Sequence, residues 1–155
     1  MRRRRSPVRE IIPDARYHSI MVTRLINTIM LDGKKSIIEK AVYGAFDMVQ
    51  EKMKKDPLAV FGEVIEKITP TVEVRARRIG GSTYQIPTEV KERRGTALAL
   101  KWLITSIRKQ SGKSLAEKIF KSFNEVLNNN GWAFKKKEEV FKMAEANKAF
   151  AHYSW

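Results

Sequence analysis

The chain has 155 residues, no cysteine, and 31 lysines and arginines against 17 aspartates and glutamates, so its formal net charge is +14. These values exclude disulfides and thiolate zinc sites, and no apolar run approaches the ~20 residues of a membrane-spanning helix. A hydrophobic content of 43% is enough to fill the core of one domain. The excess positive charge favours a polyanionic partner: RNA, DNA or, as the weakest candidate, an anionic membrane.

The first predicted segment is an extended basic arm, residues 1–18. Pro7 and Pro13 oppose helix formation there, and arginines are frequent. No apolar stretch follows the opening arginines, so a signal peptide is not predicted there. Its candidate RNA-binding residues are Arg2, Arg3, Arg4, Arg5 and Arg9.

Two helices are predicted next. Ser19 is the expected cap of the first, which ends near Asp32-Gly33, and Ser36 with Glu39 forms a capping box that opens the second. The apolar face of the first helix is Ile20, Leu25, Ile26 and Ile29. The stripe of the second is Ile37, Ala41, Ala45 and Met48, with Ile38, Val42 and Val49 beside it.

A third helix is predicted to begin with Asp56 as cap and Pro57 at the first helical position, and to stop at Pro70. Its spacing buries Val60, Phe61, Val64, Ile65 and Ile68.

The period then changes from that of a helix to that of a strand, which predicts a β-hairpin over residues 71–88. Gly80-Gly81 can form a two-residue type I′ turn, and pairing outward from it sets Arg78 opposite Thr83, Arg77 opposite Tyr84 and Arg75 opposite Ile86. The ribbon has too little apolar surface for an ordinary core element. One face presents Arg75, Arg77 and Tyr84. The arginines can bind phosphate, and the tyrosine can stack on an unpaired base.

Three more helices are predicted: about 90–109, one opened by a capping box of Ser114 and Glu117, and about 135–149. Asn128 to Gly131 mark the end of the fifth helix, and residues 143–155 form a C-terminal tail. The fold class is therefore mainly α, a six-helix bundle with one protruding two-stranded β-hairpin between helices 3 and 4. It forms a single RNA-binding domain over residues 1–155.

Catalysis is not indicated. His18 and His152, the two histidines, lie near opposite ends of the chain, and no Gly-Lys-Ser/Thr follows Gly80-Gly81. No catalytic residue, metal site or cofactor is predicted.

Further basic clusters lie at predicted helix junctions and near the hairpin. Each alone is typical of a solvated helix end, but together they can merge into one RNA-binding surface. They are Lys34, Lys35, Arg93, Arg94, Lys101, Arg108, Lys109, Lys113, Lys135, Lys136 and Lys137.

Four segments carry a resemblance to a known family. They are RLINTIMLDGKKSIIEKAVYGAF (24–46), GGSTYQIPTEV (80–90), ERRGTALALKWL (92–103) and MAEANKAFAHYSW (143–155). In unbroken order over nearly the full length, they closely resemble bacterial small-subunit ribosomal protein seven. Within these segments, Phe46, Trp102 and Leu103 are predicted to be core residues.

The resemblance implies a structural, non-enzymatic protein of the cytoplasmic small ribosomal subunit. It implies direct binding to the 3′ major domain of 16S rRNA, nucleation of head assembly, and neighbouring ribosomal proteins of the head and platform as partners, with no membrane partner. The implied rRNA contacts include the arm, Lys34-Lys35, the hairpin arginines Arg75, Arg77 and Arg78, Arg93-Arg94 and Lys135 to Lys137. The residues expected to face exit-site tRNA and mRNA are Gly80, Gly81, Ser82, Tyr84, Lys148 and Trp155.

A free regulatory nucleic-acid-binding protein, either an mRNA repressor or a DNA binder, is the alternative. A reader of duplex DNA needs a recognition helix and usually two-fold dimer spacing, and the sequence gives no sign of either. An RNA-modifying enzyme lacks both a cofactor motif and an acid/base pair.

Overall fold

The computed structural model describes residues 9–153, so Arg2 to Arg5 and Trp155 lie outside the described residues. Six α-helices, one hairpin and a short C-terminal 3-10 helix make up this part of the chain, and the predicted fold class is confirmed. The helices are α1 (Ile20–Ile29), α2 (Lys35–Met53), α3 (Pro57–Ile68), α4 (Glu92–Lys109), α5 (Leu115–Leu127), α6 (Gly131–Ala146) and the 3-10 helix (Lys148–Tyr153). The strands are β1 (Val72–Ile79) and β2 (Ser82–Glu89). No described helix is both long and apolar enough to cross a membrane.

Helix α1 begins directly after Ser19, as predicted, but the predicted side-chain caps of α1 and α2 are wrong. The Ser19 side chain makes no capping hydrogen bond, and Ile20 is 46% exposed, because the buried face of α1 begins at Val22. Helix α2 begins at Lys35, so Ser36 lies inside its first turn and no capping box forms. Asp32 and Gly33 both have positive φ angles, which turn the chain sharply enough for the helix to start early.

The buried face of α2 is rotated from the predicted stripe by about one residue, which is roughly 100°. Ile37 is 61% exposed, whereas Val42, Ala45, Phe46 and Val49 are fully buried. Apolar residues occupy both candidate faces of this helix, so periodicity alone did not select the face that packs on α5.

Helices α3 and α5 begin as predicted. The Asp56 carboxylate accepts a hydrogen bond from the Ala59 N–H at 3.0 Å, and Pro57 is the first residue of α3. The Ser114 hydroxyl accepts one from the Glu117 N–H at 3.2 Å. The five apolar residues predicted to be buried in α3 are buried.

The hairpin has the predicted register, with Arg75 opposite Ile86, Arg77 opposite Tyr84 and Arg78 opposite Thr83. Gly80 and Gly81 have φ angles of 56° and 89°, as a two-residue turn of this hand requires. The expectation that the ribbon carries little core is only partly right. Ile86 is fully buried, β1 packs along α6, and β2 packs along the 3-10 helix.

Helix α6 begins at Gly131, four residues before the predicted start, because the Asn130 side chain accepts a hydrogen bond from the Gly131 N–H at 2.8 Å. The predicted tail is also more regular than expected. Residues 143–146 belong to α6, and residues 148–153 form the 3-10 helix.

Three phenylalanines hold the centre of the bundle. Phe46 of α2, Phe61 of α3 and Phe123 of α5 are at most 2% exposed, and the rings of Phe61 and Phe123 stack with centroids 5.8 Å apart. Leu103 is fully buried and Trp102 packs at the edge of this core, so the predicted core roles of Phe46 and Leu103 are confirmed. The bundle therefore gives the hairpin and the helix ends a rigid base.

Candidate nucleic-acid interface

The base of the hairpin is joined to the start of α4 by one carboxylate. Glu73 of β1 accepts a hydrogen bond from Arg75 Nε at 2.6 Å on one oxygen and from Arg94 Nε at 2.6 Å on the other. The Glu73 side chain is only 9% exposed, whereas those of Arg75 and Arg94 are 51% and 54% exposed. Two of the predicted rRNA-binding arginines are thus brought together, and sequence reasoning missed the residue that joins them.

The charge state of Glu73 follows from this environment. Burial of the carboxyl favours its protonated form, but the hydrogen bonds from Arg94 and Arg75 and the charges of these arginines together outweigh that effect. The pKa of Glu73 is therefore held below its ordinary value. At neutral pH the three side chains form an ionised cluster with a net charge of +1.

The outer part of the hairpin is more exposed. Arg78 and the turn residues Gly80, Gly81 and Ser82 are open to solvent. Tyr84 is half-buried, because its ring lies 5.2 Å from that of Phe150 and 5.8 Å from that of Tyr153. The predicted face of Arg75, Arg77 and Tyr84 exists in the register, but the Tyr84 ring already has protein neighbours.

A second basic site lies where the arm passes between α1 and α4. Arg24 and Arg93 line an open cavity of about 270 Å³ together with Ile11 of the arm. Arg93 was predicted as an rRNA contact and Arg24 was missed. The signal for Arg24 is its helical phase, since it lies one residue before the buried Leu25 and so at the edge of the buried face of α1.

The far ends of α1 and α4 form a separate group. Lys34 and Arg108 line an apolar groove of about 300 Å³, and the Arg108 guanidinium donates a hydrogen bond to the Ile29 carbonyl at 3.5 Å. Arg93 and Arg108 are fifteen residues apart on α4, which is about 22 Å along the helix axis. The predicted arginines of α4 are therefore split between its two ends, and Lys101 lies between them.

Several predicted lysines already have protein partners. The Lys137 ammonium donates to the Lys67 carbonyl at 2.7 Å, which fastens α6 to the last turn of α3. Lys136 pairs with Glu139 at 2.9 Å, Lys109 lies 4.2 Å from the centre of the Trp132 ring, and Lys35 lies 3.6 Å from Glu39.

The remaining predicted lysines are exposed to solvent, and one of them, Lys113, lies in the loop between α4 and α5. They are Lys101, Lys113, Lys135 and Lys148.

The arm is tied to the bundle at Asp14, which is 6% exposed. Its carboxylate accepts hydrogen bonds from the backbone N–H groups of Arg16 and Tyr17, both at 3.1 Å, and from the Tyr43 hydroxyl at 2.7 Å. The predicted extended arm therefore ends in a turn at residues 15–17. Arg9, further out, is exposed.

The exposed Arg16 makes a second contact from this turn to α2. Its guanidinium binds both oxygens of Asp47, at 2.7 and 3.2 Å. Hydrogen bonding to Asp47 is the main cause that raises the pKa of Arg16, so this side chain is a cation engaged by the protein itself. Arg16 falls within the predicted arm of residues 1–18, but its contact is with α2.

Residues 9–153 contain no group of three or more His, Cys, Asp or Glu side chains that could hold a metal ion. The His152 ring lies 2.9 Å from the Ala149 carbonyl, and His18 is in a tight turn with a positive φ angle.

Comparison with known proteins gives one family. The sequence model of the family described as ribosomal protein S7p/S5e matches residues 1–148. The chain is 52% identical over 155 residues, the full length of both proteins, to the small ribosomal subunit protein uS7 of Thermotoga neapolitana. It is 53% identical over 154 residues to that of Dictyoglomus thermophilum, covering 98% of this chain and 99% of the relative. It is 51% identical over 154 residues to that of Mycoplasmopsis synoviae, covering 99% of each.

Proposed function

Since the chain belongs to the ribosomal protein S7p/S5e family and is thus a structural protein of the small ribosomal subunit, not an enzyme, we propose that it binds rRNA directly. The proposed target is the 3′ major domain of 16S rRNA, and the proposed role is to nucleate assembly of the subunit head. Residues 1–155 act as a single RNA-binding domain in the cytoplasm, and other proteins of the head and platform are its neighbours.

The observation that supports rRNA binding is the convergence of cations near the first turns of α4. The hairpin contributes Arg75, α4 contributes Arg93 and Arg94, α1 contributes Arg24, and the arm passes beside them. Three separate elements therefore present arginine around the first turns of α4, and the arm contributes Ile11 beside them. Arginine forks on a rigid base are suited to backbone phosphates held in a fixed tertiary arrangement, since folded RNA is recognised largely by shape.

A second part of the proposal concerns exit-site tRNA and mRNA. The hairpin and the 3-10 helix pack together through Tyr84, Phe150 and Tyr153. Since the turn residues Gly80 to Ser82 and the side chain of Lys148 are exposed, we assign this end to tRNA and mRNA. Tyr84 contributes to this end by supporting the 3-10 helix as well as by any contact of its own. Trp155 is kept as a proposed contact on the resemblance alone.

Footprinting of the purified protein on 16S rRNA fragments, with and without duplex DNA as competitor, tests the proposal. We expect protection within the 3′ major domain that DNA does not remove at a fixed salt concentration. If ~6–10 cations neutralise phosphates, the affinity falls by about 10³–10⁵ between ~50 and ~200 mM salt. Equal affinity for duplex DNA would overturn rRNA binding in favour of the regulatory alternative. A flat salt dependence would overturn the phosphate contacts on which the proposal rests.

A further inference from the structure

Glu73 occupies an unusual place in a chain of net charge +14. It is an almost fully buried carboxylate on the hairpin face that also carries Arg75, Arg77 and Tyr84. Each of its oxygens binds one guanidinium group, one from its own strand and one from α4. The two arginines are therefore held within reach of a single carboxylate, although two guanidinium groups alone would repel each other.

Both arginines have N–H donors that Glu73 does not bind. Glu73 takes the Nε and one terminal nitrogen of Arg75, and the Nε of Arg94. Arginine has five N–H donors in a planar fork, so both side chains keep terminal N–H groups. Each arginine side chain is about half exposed, so a ligand can approach the pair from solvent.

We propose that Glu73 is a positioning residue that sets Arg75 and Arg94 side by side as one binding site for a backbone phosphate of folded RNA. The inference rests on the proposed function and adds to it the ligand chemistry and the device that organises it. The negative charge of a phosphate complements the +1 charge of the cluster, and the phosphate oxygens can accept hydrogen bonds from N–H groups of both arginines. Because the Glu73 oxygens already fix the planes of both guanidinium groups, less rotamer entropy is lost when phosphate binds.

A general electrostatic role makes the opposite prediction. Removal of one negative charge from a cationic surface strengthens binding to any polyanion. Positioning predicts weaker binding to the folded RNA alone, because a single strand can adapt to displaced arginines and a rigid fold cannot. The two explanations therefore differ in the sign of the effect.

The variant Glu73→Gln tests this difference, with Glu89→Gln as its matched control. Glu89 is an exposed carboxylate near the base of the same hairpin, so both variants change the net charge equally. We expect Glu73→Gln to bind the 16S rRNA fragment about tenfold more weakly than Glu89→Gln, a difference of about 1.4 kcal/mol. Both variants should bind single-stranded polyuridylate alike. Equal binding of the 16S fragment by the two variants, or equal weakening for both RNAs, would overturn the inference.

A second variant covers the case in which Glu73→Gln loses its fold, which its thermal unfolding curve will show. Arg94→Lys keeps both the charge and Glu73 but replaces the fork by a point charge. We expect it to weaken binding to the 16S fragment by a similar factor while polyuridylate binding is unchanged. Wild-type affinity of Arg94→Lys for the 16S fragment would refute the paired site.

A local readout separates this inference from the proposed function. Titration with inorganic phosphate can be followed at the arginine Nε–Hε signals in NMR spectra. In the wild-type protein the signals of Arg75 and Arg94 should shift together, and in Glu73→Gln they should respond much less. A wild-type protein that shows this response but no preference for 16S rRNA would overturn the proposed function alone. Independent responses of the two arginines would overturn the paired site.

Discussion

Replacement of Asp14 by alanine should destabilise the protein far more than its place near the N-terminal end of the chain would indicate. The Asp14 carboxylate accepts hydrogen bonds from two backbone N–H groups and from the Tyr43 hydroxyl, and the residue is only 6% exposed. Each lost hydrogen bond costs about 1 kcal/mol, so the free energy of unfolding should fall by about 3 kcal/mol. For a chain of this size, that loss lowers the Tm by about 6–12 °C.

Asp47→Ala is the matched control, because Asp47 binds the adjacent Arg16 in an ion pair whose side chains are both nearly half exposed. Exposed ion pairs contribute little to stability, so the control should unfold close to the wild-type temperature. Thermal unfolding followed by circular dichroism at pH 7 measures both variants. An Asp14→Ala variant as stable as Asp47→Ala would refute the view that this carboxylate anchors the arm.

Burial, and to a smaller extent the hydrogen bond to Asp14, raises the pKa of Tyr43 from an ordinary value of 10.0 to about 12. The stabilisation that comes from the protonated Tyr43 hydroxyl is therefore complete below pH 10 and is lost as the pH rises through about 12. Tyr43→Phe should therefore flatten the loss of stability between these pH values in urea titrations; an unchanged slope would contradict this. Phe123→Ala, which empties the centre of the core, should cost about 3–5 kcal/mol, whereas Phe141→Ala, at a side chain 50% exposed, should cost much less in the same assay. Deletion of residues 2–5 should lower RNA affinity and reduce the slope of log affinity against log salt by about 3; an unchanged slope would remove the arm from the interface.

Features that depend on neighbours in the chain were predictable from the sequence. The caps at Asp56 and Ser114 each involve a side chain and an N–H three residues later, so local sequence determines them. The hairpin register follows from Gly80-Gly81, since a two-residue turn leaves one pairing. The general fold class follows from these elements and their order.

Features that depend on tertiary packing were not predictable in the same way. Ile37 and Val42 are equally apolar in sequence, but only Val42 faces another helix, and this decides which side of α2 is buried. Glu73 looked like one member of an alternating strand, and the residue that gives it a role, Arg94, lies 21 positions away on α4. The sequence places Lys137 in a run of lysines typical of a solvated helix end, and its contact with the Lys67 carbonyl depends on the packing of α6 against α3.

The ring contacts between Tyr84 and the 3-10 helix join segments that are synthesised far apart in time. The hairpin is complete before α4, α5 and α6 are made, and Phe150 and Tyr153 come after all of them. A two-stranded ribbon without a covering layer is only marginally stable in water. The part of β2 around Tyr84 therefore stays uncovered until the 3-10 helix is translated, although β1 can already pack on α6, and this end of the molecule is expected to acquire its final shape last.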